Sequence, residues 1–554
     1  MSQQHFNIDS AIQMAYQLYE SKSYHQCADI CIQILSIDCT RADIWNLAGI
    51  VALELKIYER AIEYFTQASK YEPKQVNHKL NLAEAYRRSG NPKHCIEELE
   101  ASLLQESTLE HNSTFHFNLA KAYSDLEDSQ NSIKHYAIAI KLDPNDLGAM
   151  FNLANAQVSI KQFGEAIELY LSALNRGYLD AGVNLAHTYV QIGLFSKALE
   201  VYAAIYQYYK NDADFLFNYA NALNYANADM QLTQTLYQQA IALNPAKVEY
   251  CINYAHFLLR HLHFEQGFRI YEERKKLPQM LPQGINNIWQ YNLESKGAQQ
   301  FEGKKVLVYH EQGLGDSIMF ARFLPLLQKY AQNVSVIVQQ PLLKFFQMLE
   351  IPSVSHRDEG MDFDVAISLL SLPLALGVSN IQDLHFTPFM MQSQDRHQLE
   401  SENKKVRKIG ICFSTDSEFP EAANKNIPLE VLMSALEGYK KNHNIEIYSL
   451  NKAQHNTDGL GKYGINQLPM EDFVDTFHII KDMDMVISID TAVAHLSASV
   501  GKHTIVLLNK RYDWRWGNGI FTPWYEDVVC MTQSKMNDWS DVAQNLKAYL
   551  KAWI

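Results

Sequence analysis

The residues best placed to do chemistry lie in one short stretch, Val486 to Gly501, which reads VISIDTAVAHLSASVG. Val486 to Ile489 is rich in β-branched residues and reads as a buried strand. Asp490 or Thr491 can cap a following helix, His495 falls one turn in, and Gly501 is a natural stop. A strand that turns tightly into a helix leaves several backbone N–H groups without partners at one spot. The helix dipole makes that spot favour negative charge, and Ala492 and Ala494 leave room for a ligand. The expectation is a diphosphate seat flanked by Asp490 and His495; an ordinary strand–helix unit of an α/β domain has the same outline. A second such place is Gln312 to Asp316, QGLGD. Gly313 and Gly315 permit backbone conformations and close approaches that side chains block. Asp316 then stands at the mouth of a strand, where a carboxylate of raised pKa takes a proton from an acceptor hydroxyl. The competing reading of Asp316 is a helix N-cap.

Alternating strands and helices must position these residues. A strand at Lys304 to Glu311 precedes the glycine turn, and Ser317 to Tyr330 reads as a helix. A strand at Val334 to Gln339, a helix at Leu342 to Leu349 and a strand at Asp364 to Leu369 follow. After a polar, unpatterned stretch, Ser393 to Lys405, the alternation resumes. Strands are expected from Val406, at Ile445 to Leu450, at Val486 and at Thr504 to Leu508, with helices at Leu429 to Lys441, Phe473 to Asp482 and Val542 to Ile554. Such alternation implies parallel sheets with helices on their faces. Two such lobes bind ligands where strand C-termini face a common cleft.

Ahead of the lobes, residues 9 to about 275 show helical periodicity and self-similarity near 34 residues, the period of tetratricopeptide helix pairs. The copy Ala42 to Gln75 carries Trp45, Gly49, Ala61, Phe65, Ala68 and Pro73 at the repeat's signature offsets. Related copies begin NLAEAY at 81, NLAKAY at 118, NLANAQ at 152, NLAHTY at 184, NYANAL at 218 and NYAHFL at 253, spaced 37, 34, 32, 34 and 35 apart. About eight repeats are expected. Asn81, Asn118, Asn152, Asn184, Asn218 and Asn253 share one repeat position on the first helix of each pair. A ladder of carboxamides there offers a donor and an acceptor at each rung. It either grips an extended peptide through its backbone or bonds neighbouring helices to one another. Asn46 is one residue out of register with its own repeat.

The domain reading is therefore a repeat array at 9–275, a connector at 276–303, a first lobe at 304–392, a hinge at 393–405 and a second lobe at 406–554. A chain of 554 residues is too long for one core, and 47% hydrophobic content is that of a globular protein. A net charge of −14 argues against nonspecific binding to nucleic acid or anionic membrane. The seven cysteines form no CxxC pair; Cys27 and Cys31, one helical turn apart, read as buried thiols rather than a metal site. This usage, an N-terminus without a basic and apolar leader, and no long apolar run place the protein in the cytoplasm without a membrane span.

The run VLVYHEQGLGDSIMFARFLPLL, residues 306–327, resembles the opening of glycosyltransferase family 9, the heptosyltransferase-like family. More closely, it resembles bacterial proteins that fuse tetratricopeptide repeats to such a domain. The matches are Glu311 to Asp316, Arg322, Pro325, the SLLSLP run 368–373, SIDTAVAHL at 488–496, YDWRWG at 512–517 and Pro523-Trp524-Tyr525; the likeness covers about 304–550. The resemblance implies an α-solenoid followed by a GT-B fold of two Rossmann-like lobes. It also implies metal-independent, inverting transfer of a sugar from a nucleotide-sugar co-substrate, with no cofactor. By position, Asp316 is the base, and donor contacts come from Gly313, Gly315, Ser414, Lys425, Asp490, Thr491, Ala492 and His495. Such proteins carry a small-residue loop, then a basic residue before Ile-Pro. Here Ser414-Thr415-Asp416 is followed by the acidic SEFPEAA, and Lys425 or Asn426 stands before Ile427-Pro428. Lys425 in that place neutralises a leaving diphosphate, as metal-free chemistry requires. The altered loop leaves the transferred group open among hexosyl, heptosyl and nonulosonic acid.

The function expected is O-glycosylation of Ser or Thr on an acceptor protein held by the array, with flagellin the acceptor to try first. The alternatives are a peptide-binding scaffold with a vestigial transferase domain, and a lipopolysaccharide-type heptosyltransferase. Two further motifs fit this plan less directly. The triplets Asp362-Phe363-Asp364 and Asp482-Met483-Asp484 each lead into a strand and read as solvated loop residues rather than a metal–nucleotide motif. Trp514 and Trp516 either stack on a base or sugar or belong to the core.

Overall fold

The computed structural model describes residues 7–280, 285–291, 297–357, 361–384, 406–415, 422–442, 444–452 and 459–553. The expected hinge at 393–405 and most of the altered loop after Ser414 lie outside the described residues. The chain divides into two compact units, Met1–Tyr206 and Gln207–Ile554.

Among the described residues, sixteen α-helices follow one another in eight pairs, from Ile8–Glu20 to Phe264–Tyr271. Side-chain caps start many of them: Asn112, Asp128, Asp146, Asp212 and Asp229 each accept a bond from the backbone N–H three residues on, at 2.8–3.1 Å. In the copy that carries the signature offsets, the helix Tyr58–Tyr71 ends before Pro73. A Cβ on Gly49 would fall 2.5 Å from the buried Phe65 ring, so the two helices of this pair meet only because residue 49 has no side chain.

The turn inside each pair needs one residue in the left-handed region. Lys22, Lys56, Gly90, Glu127, Lys161, Gly193, Asn227 and Leu262 fill it, at φ between 51° and 84°. A side chain there is strained by roughly 1–2 kcal/mol, against which glycine's extra unfolded-state entropy weighs about 0.5–1 kcal/mol. Lys161 is exposed. Lys161→Gly is therefore expected to stabilise the first unit by about 0.5–1 kcal/mol, read as a raised thermal midpoint. An unchanged or lowered midpoint would show that this turn holds no strain.

The second unit holds the last two helix pairs and two all-parallel sheets. The first sheet has the order β3-β2-β1-β4, with β1 at Lys305–Tyr309, β2 at Asn333–Ile337, β3 at Ser353–Val354 and β4 at Val365–Ser368. The second has the order β10-β9-β8-β5-β6-β7. Here β5 is Arg407–Cys412, β6 Ile445–Ser449, β7 Ile465–Gln467, β8 Met485–Ile489, β9 Thr504–Leu508 and β10 Val528–Thr532. Every residue of β8 and β9 is buried, which is why these strands read as unbroken apolar runs. Helices accompany both sheets, an α/β arrangement.

Three differences from the sequence reading have physical causes. Strands β3, β7 and β10 were not expected; β3 and β7 are too short for a periodic signal, and β10 reads VVCMT. The single helix expected at 317–330 is three pieces, Leu314–Phe320, Ala321–Phe323 and Leu324–Gln328, with Pro325 in the first turn of the last. The helix also begins earlier, so Asp316 lies inside its first turn. The two acidic triplets turn out to be one device used twice. Lys305 pairs with Asp362 at 2.5 Å while its backbone N–H donates to Asp364. Lys408 likewise pairs with Asp482 while its N–H donates to Asp484. Each triplet thus ties the N-terminal ends of neighbouring strands, away from the ends that carry Asp316 and Asp490.

One core runs through the second unit, from Ala255 to Cys530. In it Trp524 packs edge-on against Phe264 and Phe268, and Trp514 against Phe268 and Tyr271. The last helix pair is therefore built into the same core as the sheets. Among the described residues, no helix is long and apolar enough to cross a membrane.

Candidate functional site

Two strand ends meet. The loop after β1 leads to the Leu314–Phe320 helix, and the turn after β8 leads to the Ala492–Val500 helix. A Cβ on Gly315 would stand 2.9 Å from the His495 ring and 3.5 Å from the Ala492 Cα. The close approach foreseen for Gly315 is thus filled by the second helix. Gly313 is exposed, with extended backbone at φ −67°, so its conformation does not demand glycine.

Asp316 makes the capping contact weighed for it. Its Oδ2 accepts from the Gly313 N–H at 3.0 Å, a capping bond at the helix start. Its Oδ1 lies 2.6 Å from Nη2 of Arg515. Burial raises the proton affinity of the Asp316 carboxyl, the Arg515 guanidinium works against this, and the net shift is upward. A carboxylate so placed is a better proton acceptor than a solvated one.

Opposite it, Asp490 Oδ2 lies 2.6 Å from Nζ of Lys425, and its Oδ1 accepts from the Trp516 indole N–H at 2.8 Å. Burial disfavours the Lys425 ammonium, but the Asp490 carboxylate outweighs it and the pKa is raised. Thr491 is the N-cap, in extended backbone, yet its side chain makes no capping bond to the first turn of the helix. Its hydroxyl lies 3.1 Å from that of Ser488. Gly501 closes the helix at φ 82°, as its position in the sequence suggested. His495 is 4% exposed. Its ring stacks on Trp516 with centroids 4.6 Å apart, and Nδ1 is 2.8 Å from the Tyr525 hydroxyl. Burial pushes its pKa down to about 4, so at neutral pH it is a neutral hydrogen-bonding group, not a cation for phosphate. Ser414 is buried after β5, its hydroxyl and carbonyl both accepting from Asn451 Nδ2 at 2.9 and 2.8 Å. Trp514 and Trp516 are 3% and 0% exposed, which makes both core residues.

Several residues of this site stand in the quoted motifs or near them but were given no role from the sequence. Arg515 reaches Asp316, Asp513 at 2.9 Å and Gln312 at 3.0 Å, all three from one guanidinium. Burial disfavours that charge, but the carboxylates outweigh it and hold it on strongly. Asp513 is held well below the usual carboxylate range, since Arg515 outweighs the burial that opposes its charge. Gln312 also donates to the Tyr271 hydroxyl at 2.9 Å, and Gln339 donates to the Gln312 carbonyl at 2.7 Å. Glu311 and Arg274, both 1% exposed, pair at 2.7 Å. Arg274 also reaches Glu272 Oε1 at 2.8 Å and Ser371 Oγ at 2.9 Å. The available signal was the density of carboxylates at strand ends, since buried carboxylates demand a nearby cation.

The six asparagines all lie on the first helix of a pair. Asn81 Nδ2 donates to Asn46 at 2.9 Å, Asn184 to Asn155 at 2.7 Å and Asn253 to Asn221 at 3.2 Å, each to the preceding pair. Asn118, 8% exposed, donates to the Leu80 carbonyl at 3.4 Å. Tyr170 and Tyr237 hydroxyls share the Asn155 and Asn221 acceptors. Stacking between pairs therefore uses four of the six; Asn152 and Asn218 are half-buried. Asn46 does join the ladder, as the acceptor for Asn81.

The helical half matches a tetratricopeptide-repeat family over residues 59–245, and a second tetratricopeptide-repeat family matches residues 42–75. The first half of this chain is a tetratricopeptide-repeat array. Among solved structures, it is similar to the C-terminal part of a TPR repeat-containing protein from Cytophaga hutchinsonii (13% identity, 43% of this chain and 97% of that one, TM-score 0.35). It is also similar to a thermophilic TPR protein of Thermus thermophilus (17% identity, 33% and 100%, TM-score 0.29). A third is PilW, a type IV pilus biogenesis factor (17% identity, 36% and 92%, TM-score 0.33). No curated protein matches the sequence. Repeats of this kind are protein-binding scaffolds, and this array is one.

Proposed function

We propose that the protein is a glycosyltransferase that moves a sugar from a nucleotide-sugar to a Ser or Thr hydroxyl of a polypeptide held by the tetratricopeptide array. The observation that carries the reading is the meeting of two strand ends, with Asp316 on one side and the uncapped Ala492–Val500 helix, Asp490 and Lys425 on the other. A diphosphate at that helix start gains the unpaired backbone N–H groups, the helix dipole and the Lys425 ammonium. Asp316, with its raised proton affinity, then takes the proton of the acceptor hydroxyl as the sugar is transferred. Lys425 stabilises the charge left on the departing diphosphate without a metal. No cofactor is required. The resemblance of residues 304–550 to glycosyltransferase family 9 supports the same chemistry, and flagellin is the first acceptor to try.

The test is a panel of nucleoside mono- and diphosphates and their sugars, read by thermal shift on the full chain. A ligand that binds only the folded state raises the midpoint, stabilising by roughly 2.7 kcal/mol at one hundred times its dissociation constant. The nucleotide that shifts the midpoint most is then offered as its sugar conjugates with flagellin, and the intact mass of flagellin is followed. A panel without any shift removes the reading. Binding without a mass increase on any acceptor leaves a scaffold that senses nucleotide.

A further inference from the structure

Resting on that reading, we propose that Tyr525 is a positioning residue of the donor site. Its hydroxyl fixes the tautomer of His495, so that the imidazole turns a neutral Nε2–H, not a lone pair, toward a bound diphosphate.

His495 is the fourth residue of the Ala492–Val500 helix. A side chain there leans back over the turn ahead of it, and that is the turn without a side-chain cap. The ring is held firmly. Trp516 stacks on its face, and the Trp516 indole N–H is itself fixed by Asp490 at 2.8 Å. The Tyr525 hydroxyl takes Nδ1 at 2.8 Å. The other edge of the ring, Cδ2 and with it Nε2, lies against Gly315, one residue before Asp316: a Cβ on Gly315 would stand 2.9 Å from Cδ2. Among the described residues Nε2 has no hydrogen-bond partner; Nδ1 is the bonded nitrogen.

The neighbours of the Tyr525 hydroxyl decide which nitrogen carries the proton. Arg322 is hydrogen-bonded to it, with the guanidinium carbon 4.5 Å from the Tyr525 ring centroid. A guanidinium only donates, so the phenol oxygen is the acceptor in that contact. Arg322 is anchored in turn, donating to the carbonyls of Met319 and Trp524. Ser499 is near the hydroxyl too, but its buried Oγ makes no hydrogen bond among the described residues. The partner left for the phenol proton is Nδ1, and a buried hydroxyl with its proton unpaired is costly. A neutral imidazole that accepts at Nδ1 carries its own proton on Nε2. Burial keeps the ring neutral at physiological pH, with its pKa pushed down to about 4. The opposite tautomer would set a lone pair against a phosphate oxygen and repel it. With the proton on Nε2, the ring adds a donor to the helix N–H groups and the Lys425 ammonium without adding a charge.

The first arm of the experiment needs no ligand. Nitrogen NMR of the full-length protein carrying isotopically labelled histidine, at neutral pH, is expected to show His495 with Nε2 protonated and Nδ1 bare. The His495→Gln spectrum identifies these resonances by their loss, and Tyr525→Phe is expected to mix the two tautomers. The second arm is calorimetric titration of uridine, guanosine and adenosine diphosphates. For the diphosphate that binds, Tyr525→Phe weakens binding about tenfold, the worth of one hydrogen bond to a charged group. The amide nitrogen of His495→Gln reaches the place of Nε2 and has no tautomer to fix, so this variant keeps most of the affinity. The nitrogen of His495→Asn reaches only the place of Nδ1, and about tenfold is lost. In the His495→Gln background Tyr525→Phe costs nothing further, whereas a merely structural tyrosine would weaken both backgrounds alike. A wild-type ring with its proton on Nδ1, tighter binding by His495→Asn than by His495→Gln, or equal losses in the two backgrounds overturns the assignment and leaves the transferase reading standing. If no diphosphate binds, the transferase reading falls, and the role of Nε2–H falls with it whichever tautomer the spectrum shows. Should Tyr525→Phe not fold, the wild-type spectrum and the His495→Gln and His495→Asn titrations decide by themselves.

Discussion

Asp316→Asn is expected to cut sugar transfer by roughly 10²- to 10⁴-fold, the usual contribution of a positioned general base, while leaving the protein folded and able to bind nucleotide. The asparagine keeps the size of the side chain, so its carbonyl can still accept from the Gly313 N–H at the helix start. Arg515 keeps Asp513 and Gln312. The pair is largely buried, so losing one partner costs stability, and the cost is limited because Arg515 retains these two partners. The measurement is the rate of mass increase on the acceptor protein, set beside the nucleotide titration on the same preparation. A variant that binds nucleotide and transfers sugar at the wild-type rate would strip Asp316 of the role and return it to helix capping alone.

How much of this was legible before the structure depended on the distance over which each interaction runs. The repeats were readable because each is a local unit: NLAEAY at 81 and its counterparts recur at the spacing of one helix pair. The left-handed turn residues, from Lys22 to Leu262, recur at the same interval, but only Gly90, Gly193 and Asn227 among them advertise it by residue type. Strands β1, β2, β4, β5, β6, β8 and β9 were readable from their β-branched and apolar residues. The site was readable where it sits on one continuous stretch, as Asp490 to His495 does. It was not readable where it depends on partners far along the chain. Arg515 lies 203 residues from Gln312, which it bonds; Arg274 lies 97 from Ser371. In the sequence, YDWRWG drew notice for its tryptophans, yet the arginine between them holds the carboxylates. The asparagine ladder was placed on the right helices, but the choice between peptide and neighbour turned on geometry. Four of its amides bond the preceding pair.

Replacing Arg274 with methionine is expected to lower the stability of the second unit by about 3–5 kcal/mol, the range measured when one partner of a buried ion pair is removed. The arginine is 1% exposed and joins three parts of the unit. Its guanidinium holds Glu272 from the turn after the last repeat helix, Glu311 from the loop after β1 and Ser371 from the loop after β4. Ser371 in turn donates to Glu272. Burial opposes the charge of Glu272, yet Arg274 and Lys275 together hold its carboxyl below the ordinary range, so the charged state is the folded state here. Methionine fills the stem's volume but leaves Glu311 in the core without the cation it faces, and Glu272 with Lys275 alone. The double variant Arg274→Met/Glu311→Gln removes one of those charges and should recover part of the loss, which separates electrostatics from packing. Arg274→Lys should fall between, because one ammonium cannot span three acceptors in this fork. Urea unfolding followed by tryptophan fluorescence reads the right unit, since Trp45 alone of the seven tryptophans lies in the first unit. Glu311 and Gln312 stand just ahead of Gly313 and Asp316, so the same variant should loosen the base's own loop and lower transfer more than the nucleotide affinity. An unchanged urea midpoint in Arg274→Met would mean that the last repeat and the sheets are held together by the aromatic contacts of Trp514 and Trp524 without help from this charge cluster.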